Sequence, residues 1–219
     1  MMKVNHYGIR RSGLHAIVGW LEELGLPIQP YKTDIQLPLS ELLHEQFTYR
    51  CFEDASIATV NRERLRSDVF HFWSLRDPYN WLASRIAKGG MRPYVKQSLA
   101  LWVEYATRIR AGEFSPWINF TRWFDDGEYR IECAKLFGLE TDGSPYQGVR
   151  HEGRGSSFTG RAHHGSAQDM PINGRWRMYY VWPKYRELLT DEVRTLGVDL
   201  FGMNPPWENL AADEKMKGC

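Results

Sequence analysis

The sequence has little of several features that mark large classes of proteins. Its three cysteines, at positions 51, 133 and 219, are far apart and form no Cys-x-x-Cys pair, which indicates neither a disulfide framework nor a zinc site. Basic and acidic residues nearly cancel, with a formal net charge of +1, so overall charge predicts no nucleic-acid partner. An anion-binding site would therefore have to come from local clustering of basic residues.

Long apolar runs and a leader sequence are also lacking. No apolar run approaches the length needed to span a bilayer, and the first residues do not resemble a signal peptide. Together with the few cysteines, this predicts a cytoplasmic protein without a membrane span. The length of 219 residues favours one domain with a sizeable core.

What the sequence does contain is an alternation of strand-like and helical segments. The run at 69–75 is almost continuously apolar, as is typical of a parallel strand covered on both faces. The segment at 14–26 has the apolar periodicity of a helix that packs on one side. The remaining strand-like segments lie at 4–9, 49–60 and 116–124, and the remaining helical ones at 39–46, 78–90, 94–114, 126–139 and 175–202. This order predicts an α/β fold with a mostly parallel central sheet, flanked by helices in three layers.

Residues 141–175 differ from the rest of the chain. They are rich in glycine, serine, arginine and histidine and contain hardly any aliphatic residues. A loop this long inside a compact domain is usually functional or disordered, and its arginines favour a lid over a bound ligand; a linker is the other interpretation. We therefore predict one domain at 1–205, with this loop-rich lid, and a polar carboxyl-terminal tail at 206–219.

A glycine-bearing loop connects the first predicted strand to the first predicted helix. Gly8 and Gly13 have the G-x-x-x-x-G spacing of a phosphate-binding loop, and Arg10 and Arg11 lie between them. Such a junction offers an anion backbone N–H groups and the positive end of a helix dipole. The other interpretation is a strand–turn–helix junction with two exposed arginines.

The loop lacks two residues that the ATP- and GTP-binding version requires. Leu14 and His15 stand where a lysine and a serine or threonine would follow the second glycine. Histidine is a poor ligand for Mg²⁺, which prefers oxygen. The loop therefore predicts an anion that is neutralised by arginine, and no metal is expected.

A second candidate anion site follows the apolar run at 69–75. Arg76 ends this run, and Ser84 lies eight residues further on, in the next predicted helix. Ligands of open α/β sheets bind at the carboxyl ends of the strands, where a guanidinium and a hydroxyl can hold a phosphate together. Asp77 could orient the arginine or cap the helix that begins at Pro78. Taken alone, the pair Arg76–Asp77 could also be an exposed ion pair.

The two motifs together resemble a known family. "GIRRSGLH" followed by "RDPYNWLAS" is similar to the sulfotransferases that use 3′-phosphoadenosine 5′-phosphosulfate (PAPS), which share a P-loop NTPase-like fold with nucleotide kinases. In this family a Lys-Ser-Gly-Thr-Thr loop holds the 5′-phosphosulfate, and here Arg11, Ser12 and Gly13 match Lys-Ser-Gly. The resemblance implies that PAPS is held by Gly8, Arg10, Arg11, Ser12, Gly13, Leu14 and His15 at one end, by Arg76 and Ser84 at the 3′-phosphate, and by Arg154, Gly155 and Ser156 in the lid.

The resemblance also implies a reaction, the transfer of a sulfuryl group to a hydroxyl or amine of a small molecule or glycan. Arg11 would stabilise charge on the leaving group, because arginine cannot donate a proton as the family's lysine can. A general base would assist the acceptor, and the candidates are Glu53, Asp54 and His15. The alternatives are a P-loop kinase and a non-catalytic nucleotide-binding relative. The sequence indicates no oligomeric state.

Overall fold

In the part of the chain that the structure describes, five parallel strands form the central sheet. A computed structural model describes residues 2–28, 31–33, 48–89, 93–149, 159 and 162–210. The strands are β1 (Lys3–Gly8), β2 (Tyr31–Thr33), β3 (Tyr49–Glu53), β4 (Val69–Leu75) and β5 (Trp117–Asn119). They lie in the order β2-β3-β1-β4-β5, and every neighbouring pair is parallel. The predicted α/β fold with a parallel sheet is confirmed.

Helices pack on the sheet and beside it. The α-helices are α1 (Leu14–Glu23), α2 (Ile57–Arg64), α3 (Pro78–Gly89), α4 (Pro93–Arg110), α5 (Phe120–Asp125), α6 (Gly127–Lys135), α7 (Pro183–Leu188) and α8 (Asp191–Phe201). Short 3₁₀ helices cover Ala167–Asp169, Ile172–Met178 and Pro206–Asn209. Within these described elements, no helix has both the length and the apolar character needed to cross a membrane.

The two faces of the sheet are covered by different helices, because successive side chains of a strand point to opposite sides. Tyr7 of β1 and Trp73 of β4 belong to an apolar cluster that includes α3 and α4. Val4 and Phe72, on the opposite face, belong to a second cluster with α1 and α6. Sheet and helices thus form the predicted layers, and each large apolar side chain buried there contributes about 1.5–3 kcal/mol.

Two predicted strands are shorter in the structure because side-chain caps start helices within them. In the 49–60 segment, Ser56 accepts a hydrogen bond from the Thr59 N–H (3.3 Å) and begins α2. In the 116–124 segment, Asn119 accepts one from the Arg122 N–H (3.0 Å) and begins α5. Ser and Asn are favoured at such positions because their oxygens satisfy N–H groups at the helix start. The prediction that these two strands continue beyond Glu53 and beyond Asn119 is therefore wrong.

The carboxyl-terminal region is folded further along the chain than we predicted. Residues 206–209, assigned above to the polar tail, form a 3₁₀ helix. Its Trp207 is buried, and its ring lies 5.5 Å from that of Tyr79 and 6.0 Å from that of Tyr185. The helix predicted at 39–46 lies outside the described residues.

A fully buried histidine lies in the sheet close to the glycine-bearing loop. His6 Nε2 is 2.8 Å from Ser74 Oγ, its Nδ1 is 2.9 Å from the Tyr49 hydroxyl, and its ring stacks on Phe72. Burial, aided by the nearby charge of His15, lowers the pKa of His6 well below 6.5. The neutral ring is therefore the form that the fold requires.

This burial predicts a loss of stability in acid that depends on His6. Below about pH 6.5 the unfolded chain gains a proton at this position and the folded chain does not, so the free energy of unfolding falls by up to about 1.4 kcal/mol per pH unit. We expect His6→Gln to show a shallower loss than wild type between about pH 6.5 and 5 in urea unfolding. At about pH 8 His6 is neutral in both the folded and the unfolded state. The difference in the free energy of unfolding between wild type and His6→Gln at that pH therefore gives the packing loss alone. If the free energies of unfolding of the two proteins fall in parallel between about pH 6.5 and 5, His6 is not the cause of the loss of stability.

Candidate functional site

The candidate site lies where the central strands end. Gly8, the last residue of β1, pairs in register with Glu53 of β3 on one side and Ser74 of β4 on the other. Helix α1 leaves β1 toward one face of the sheet, whereas α3 leaves β4 toward the other. The crevice between two such strands is where open α/β sheets bind ligands.

The loop between β1 and α1 has the tight conformation that its glycine spacing predicts. Arg11 and Gly13 have positive φ angles of 78° and 81°, and the Ser12 N–H donates to the Ile9 carbonyl oxygen at 2.9 Å. A Cβ at Gly13 would lie 2.1 Å from the Phe120 ring, so only glycine fits there. Positive φ at the non-glycine Arg11 is strain of the kind that clusters at functional sites.

Ser12 supplies a polar atom inside this loop. Its side chain is fully buried, and its Oγ has no hydrogen-bond partner among the described residues. Leaving a buried hydroxyl unsatisfied costs about 1–3 kcal/mol. A ligand oxygen held in the loop would remove that penalty.

Arg76, immediately after β4, is buried and held by hydrogen bonds. Its Nη1 donates to Ser84 Oγ (3.3 Å), and its Nη2 donates to the Ile172 carbonyl oxygen. Asp77 lies 3.9 Å from Arg76 Nε but accepts hydrogen bonds from the Asn80 N–H (2.8 Å) and from Thr121 Oγ1 (2.9 Å). The carboxylate therefore caps α3, which is one of the two roles predicted for it, and it also forms a buried ion pair with the arginine, without a hydrogen bond between them.

Arg175, which the sequence analysis did not identify, also contacts Ser84, the serine that Arg76 contacts. Arg175 comes from the 3₁₀ helix Ile172–Met178, is buried, and donates from Nη1 to Ser84 Oγ at 3.0 Å. Two guanidinium groups thus approach one serine hydroxyl. The only sequence signal for Arg175 is its position between the apolar residues Ile172 and Trp176, both of which are buried.

The positive charges of Arg76 and Arg175 are disfavoured by their surroundings, and the charge of Arg11 contributes to the effect on Arg175. Burial lowers the pKa of Arg76 to about 10 despite the opposing effect of Asp77. Burial, together with the positive charges of Arg76 and Arg11, lowers the pKa of Arg175 to about 9. A lowered arginine pKa means that the surroundings disfavour the cation. A bound anion would favour the charged form of these arginines and raise their pKa values. We call Arg11, Arg76, Arg175 and Ser84 the arginine cluster.

A second group of charges lies on the β3 side of the loop. His15 Nε2 is 3.1 Å from Glu53 Oε1, and Arg10 Nε donates to Glu53 Oε2 at 3.2 Å. The Arg10 N–H donates to Asp54 Oδ1 at 2.8 Å, and Arg85 Nη1 lies 3.7 Å from Asp54 Oδ2. Arg10 and Arg85 each have a carboxylate beside them here, whereas Arg76 and Arg175 both donate to the neutral hydroxyl of Ser84.

The two acidic residues of this group are held in different ways. Burial alone would raise the pKa of Glu53, but its hydrogen bond and charge interactions with His15 and Arg10 outweigh burial and keep the pKa below 4.5. Asp54 has a positive φ of 54°, and its N–H donates to the Gly8 carbonyl oxygen at 2.9 Å. The strained corner after β3 is thereby fastened to the end of β1.

Most of the residues predicted for the site are brought together at this edge. The structure places there Gly8, Arg10, Arg11, Ser12, Gly13, His15, Glu53, Asp54, Arg76 and Ser84. Leu14 differs, because its side chain is buried in the apolar cluster with α1 and only its backbone can face the loop. Arg154, Gly155 and Ser156, predicted for the lid, lie outside the described residues.

The described residues contain no group of three or more His, Cys, Asp or Glu side chains arranged to hold a metal ion. Comparison of the chain with models of protein families, with curated proteins and with solved structures gave no match. Statements about function therefore rest on the site itself.

The arginine cluster predicts a specific response to polyanions. We expect inorganic pyrophosphate to raise the free energy of unfolding of the wild type, by about 2.7 kcal/mol at a hundred times its dissociation constant. Arg175→Met should lose most of this gain and stay within about 1 kcal/mol of wild type without ligand, because the lost hydrogen bond is offset by relieved repulsion.

Arg177→Met is the matched control for this measurement. Arg177 is two residues away, exposed, and stacked on the outside of Trp176 at 4.8 Å, so this variant should respond to pyrophosphate as the wild type does. Urea unfolding with and without pyrophosphate tests both variants. Equal stabilisation of Arg175→Met and wild type would show that the cluster is not the anion site.

Proposed function

We propose that this protein is a sulfotransferase that moves a sulfuryl group from PAPS to a hydroxyl or amine of a small molecule or glycan. The observation that carries the proposal is that Arg76 and Arg175, from two separate elements, both donate to Ser84 Oγ, and that the charge of Arg11 in the β1–α1 loop acts on Arg175 as well. PAPS has anionic groups at two places, a 3′-phosphate and a 5′-phosphosulfate. A site with arginines at two places along the sheet edge is complementary to it.

The order of the strands supports an assignment of each end. The loop that carries Arg11 follows β1, and Arg76 follows the adjacent strand β4. Neighbouring strands lie about 4.8 Å apart, and this spacing sets the scale of the separation between the loop that carries Arg11 and the strand end that carries Arg76. The 5′-phosphosulfate is assigned to the loop, with Ser12 and the backbone of Gly13, and the 3′-phosphate to Arg76, Arg175 and Ser84. This is a P-loop-like use of the β1–α1 junction.

The chemistry required of the loop is stabilisation of charge. Sulfuryl transfer, like phosphoryl transfer, depends on in-line positioning and on neutralising the leaving oxygen. Arg11 provides a fixed positive charge at the loop, and burial, the largest influence on its pKa, lowers that pKa. A cation that is already poorly solvated is well suited to stabilise developing negative charge.

Calorimetric titration with adenosine 3′,5′-bisphosphate tests the proposal. We expect binding in the presence of a chelator, because arginines supply the neutralising charge. The same titration with ATP, with and without Mg²⁺, is the comparison. Failure to bind the bisphosphate, or tight binding of ATP only with Mg²⁺, would contradict the proposal and favour a kinase.

Arg76 should distinguish nucleotides by their 3′-phosphate. Arg76→Ala removes charge-assisted hydrogen bonds worth about 1.5–3 kcal/mol each, so bisphosphate binding should weaken roughly a hundredfold. Adenosine 5′-phosphosulfate, which lacks the 3′-phosphate, should lose less than about threefold. Arg76→Lys, which keeps the charge, guards against a general folding defect in the alanine variant. Equal losses for the two nucleotides in both variants would show that Arg76 does not contact the 3′-phosphate.

A further inference from the structure

Two large apolar side chains are exposed together in the segment that follows the buried Arg175. Met178 is 58% exposed and Trp182 is 47% exposed. The chain makes a tight turn between them, in which the Trp182 N–H donates to the Tyr179 carbonyl oxygen at 2.9 Å. Single exposed apolar side chains need no explanation, but neighbouring ones often mark a surface that binds a partner.

The charged side chains of the same segment are all basic. Arg177, Lys184 and Arg186 are exposed, and none of them forms an ion pair in the part of the chain that the structure describes. Residues 170–186 contain four basic residues and no acidic one. Several exposed arginines elsewhere do have a carboxylate oxygen within 4.0 Å, namely Arg10, Arg62, Arg110 and Arg122.

The basic–apolar patch is the name we give to Arg177, Met178, Trp182, Lys184 and Arg186. We propose that this patch binds the surface of a membrane that contains anionic lipids. The cations attract the anionic headgroups. The indole ring of a tryptophan is suited to the boundary between headgroups and acyl chains, and a methionine beside it adds apolar area. This proposal does not depend on the proposed function.

Buried aromatic residues hold the patch in position. The exposed side chains alternate along the chain with the buried rings of Trp176, Tyr179 and Tyr185. The Trp182 ring lies edge-on to the Tyr179 ring at 5.1 Å, and the Arg177 guanidinium lies 4.8 Å from the Trp176 ring. A surface that is already ordered loses little conformational entropy on binding.

A second copy of the chain and a single-stranded nucleic acid match the patch less well. A two-fold contact between copies would bring Arg177, Lys184 and Arg186 close to the same three cations of the other chain. A nucleic-acid strand stacks on several aromatic rings, whereas the patch contains one, that of Trp182. An anionic lipid surface is complementary both to the cations and to the apolar side chains.

Co-sedimentation of the full chain with lipid vesicles tests the proposal. We expect the wild type to bind vesicles of phosphatidylcholine and phosphatidylglycerol at least about tenfold more tightly than vesicles of phosphatidylcholine alone. Salt at about 0.5 M should release it. Trp182→Ser should weaken binding about tenfold, and Lys184→Gln about fivefold. Serine suits position 182 because this residue is the N-cap of α7.

Leu65→Ser and Arg110→Gln are the matched controls. Leu65 is 84% exposed outside the patch, and Arg110 is exposed but paired with Asp199 at 3.0 Å, so both variants should bind vesicles as the wild type does. Urea unfolding verifies the fold of each variant. If Trp182→Ser does not fold, Met178→Ser replaces it, with an expected loss of about tenfold.

Several results would overturn the proposal. The first is a wild type that does not bind the anionic vesicles or binds both kinds of vesicle equally. The second is a loss of binding in the controls that equals the loss in the patch variants. If Lys184→Gln and the serine variant of the patch instead lose self-association in sedimentation, or binding to oligouridylate, and the wild type does not bind vesicles, the patch belongs to a second copy or to a nucleic acid.

Discussion

The crowding of positive charge at the end of β4 is the constraint on which the rest of the site depends. Arg76 and Arg175 both donate to Ser84 Oγ, so two cations are held around one neutral hydroxyl. Such an arrangement opposes folding unless the surrounding structure is rigid enough to enforce it. That support comes from buried aromatic residues, since Trp176 fixes the 3₁₀ helix and Trp102 donates to the Arg76 carbonyl oxygen at 3.0 Å.

The carboxylate next to Arg76 is held mainly by residues other than the arginine. An aspartate adjacent in sequence to an arginine usually neutralises it, but the oxygens of Asp77 are taken up by Asn80 and Thr121. The distance of 3.9 Å to Arg76 Nε leaves a buried ion pair without a hydrogen bond. On the β3 side the opposite holds, because Glu53 and Asp54 lie beside Arg10 and Arg85. The same residue types thus make one half of the site attractive to anions and the other half nearly balanced.

The sequence predicts the α/β fold well because the fold follows from local patterns, whereas the binding role of the two anion motifs stays a prediction. Apolar periodicity marks β4 and α1, and the spacing of Arg76 and Ser84 places the serine one helix after the strand end. Arg175 could not be found in this way, because it reaches Ser84 across 91 residues of sequence. The starts of α2 and α5 were missed for another reason. A single capping oxygen, from Ser56 or Asn119, ended a run whose apolar composition suited a strand equally well.

The two departures from a standard phosphate loop are connected by the structure. Leu14, at the position of the lysine, turns into the core, where a Cβ on Gly8 would meet its Cδ1 at 2.8 Å. His15, at the position of the magnesium-binding hydroxyl, turns to Glu53. Both side chains therefore contact other residues of the protein. The positive charge that a lysine would bring to the loop is brought by Arg11. The φ of 78° at Arg11 bends the loop at that residue. In the proposed function, a loop altered in this way would offer its backbone N–H groups to the anion and would depend on arginine for its positive charge.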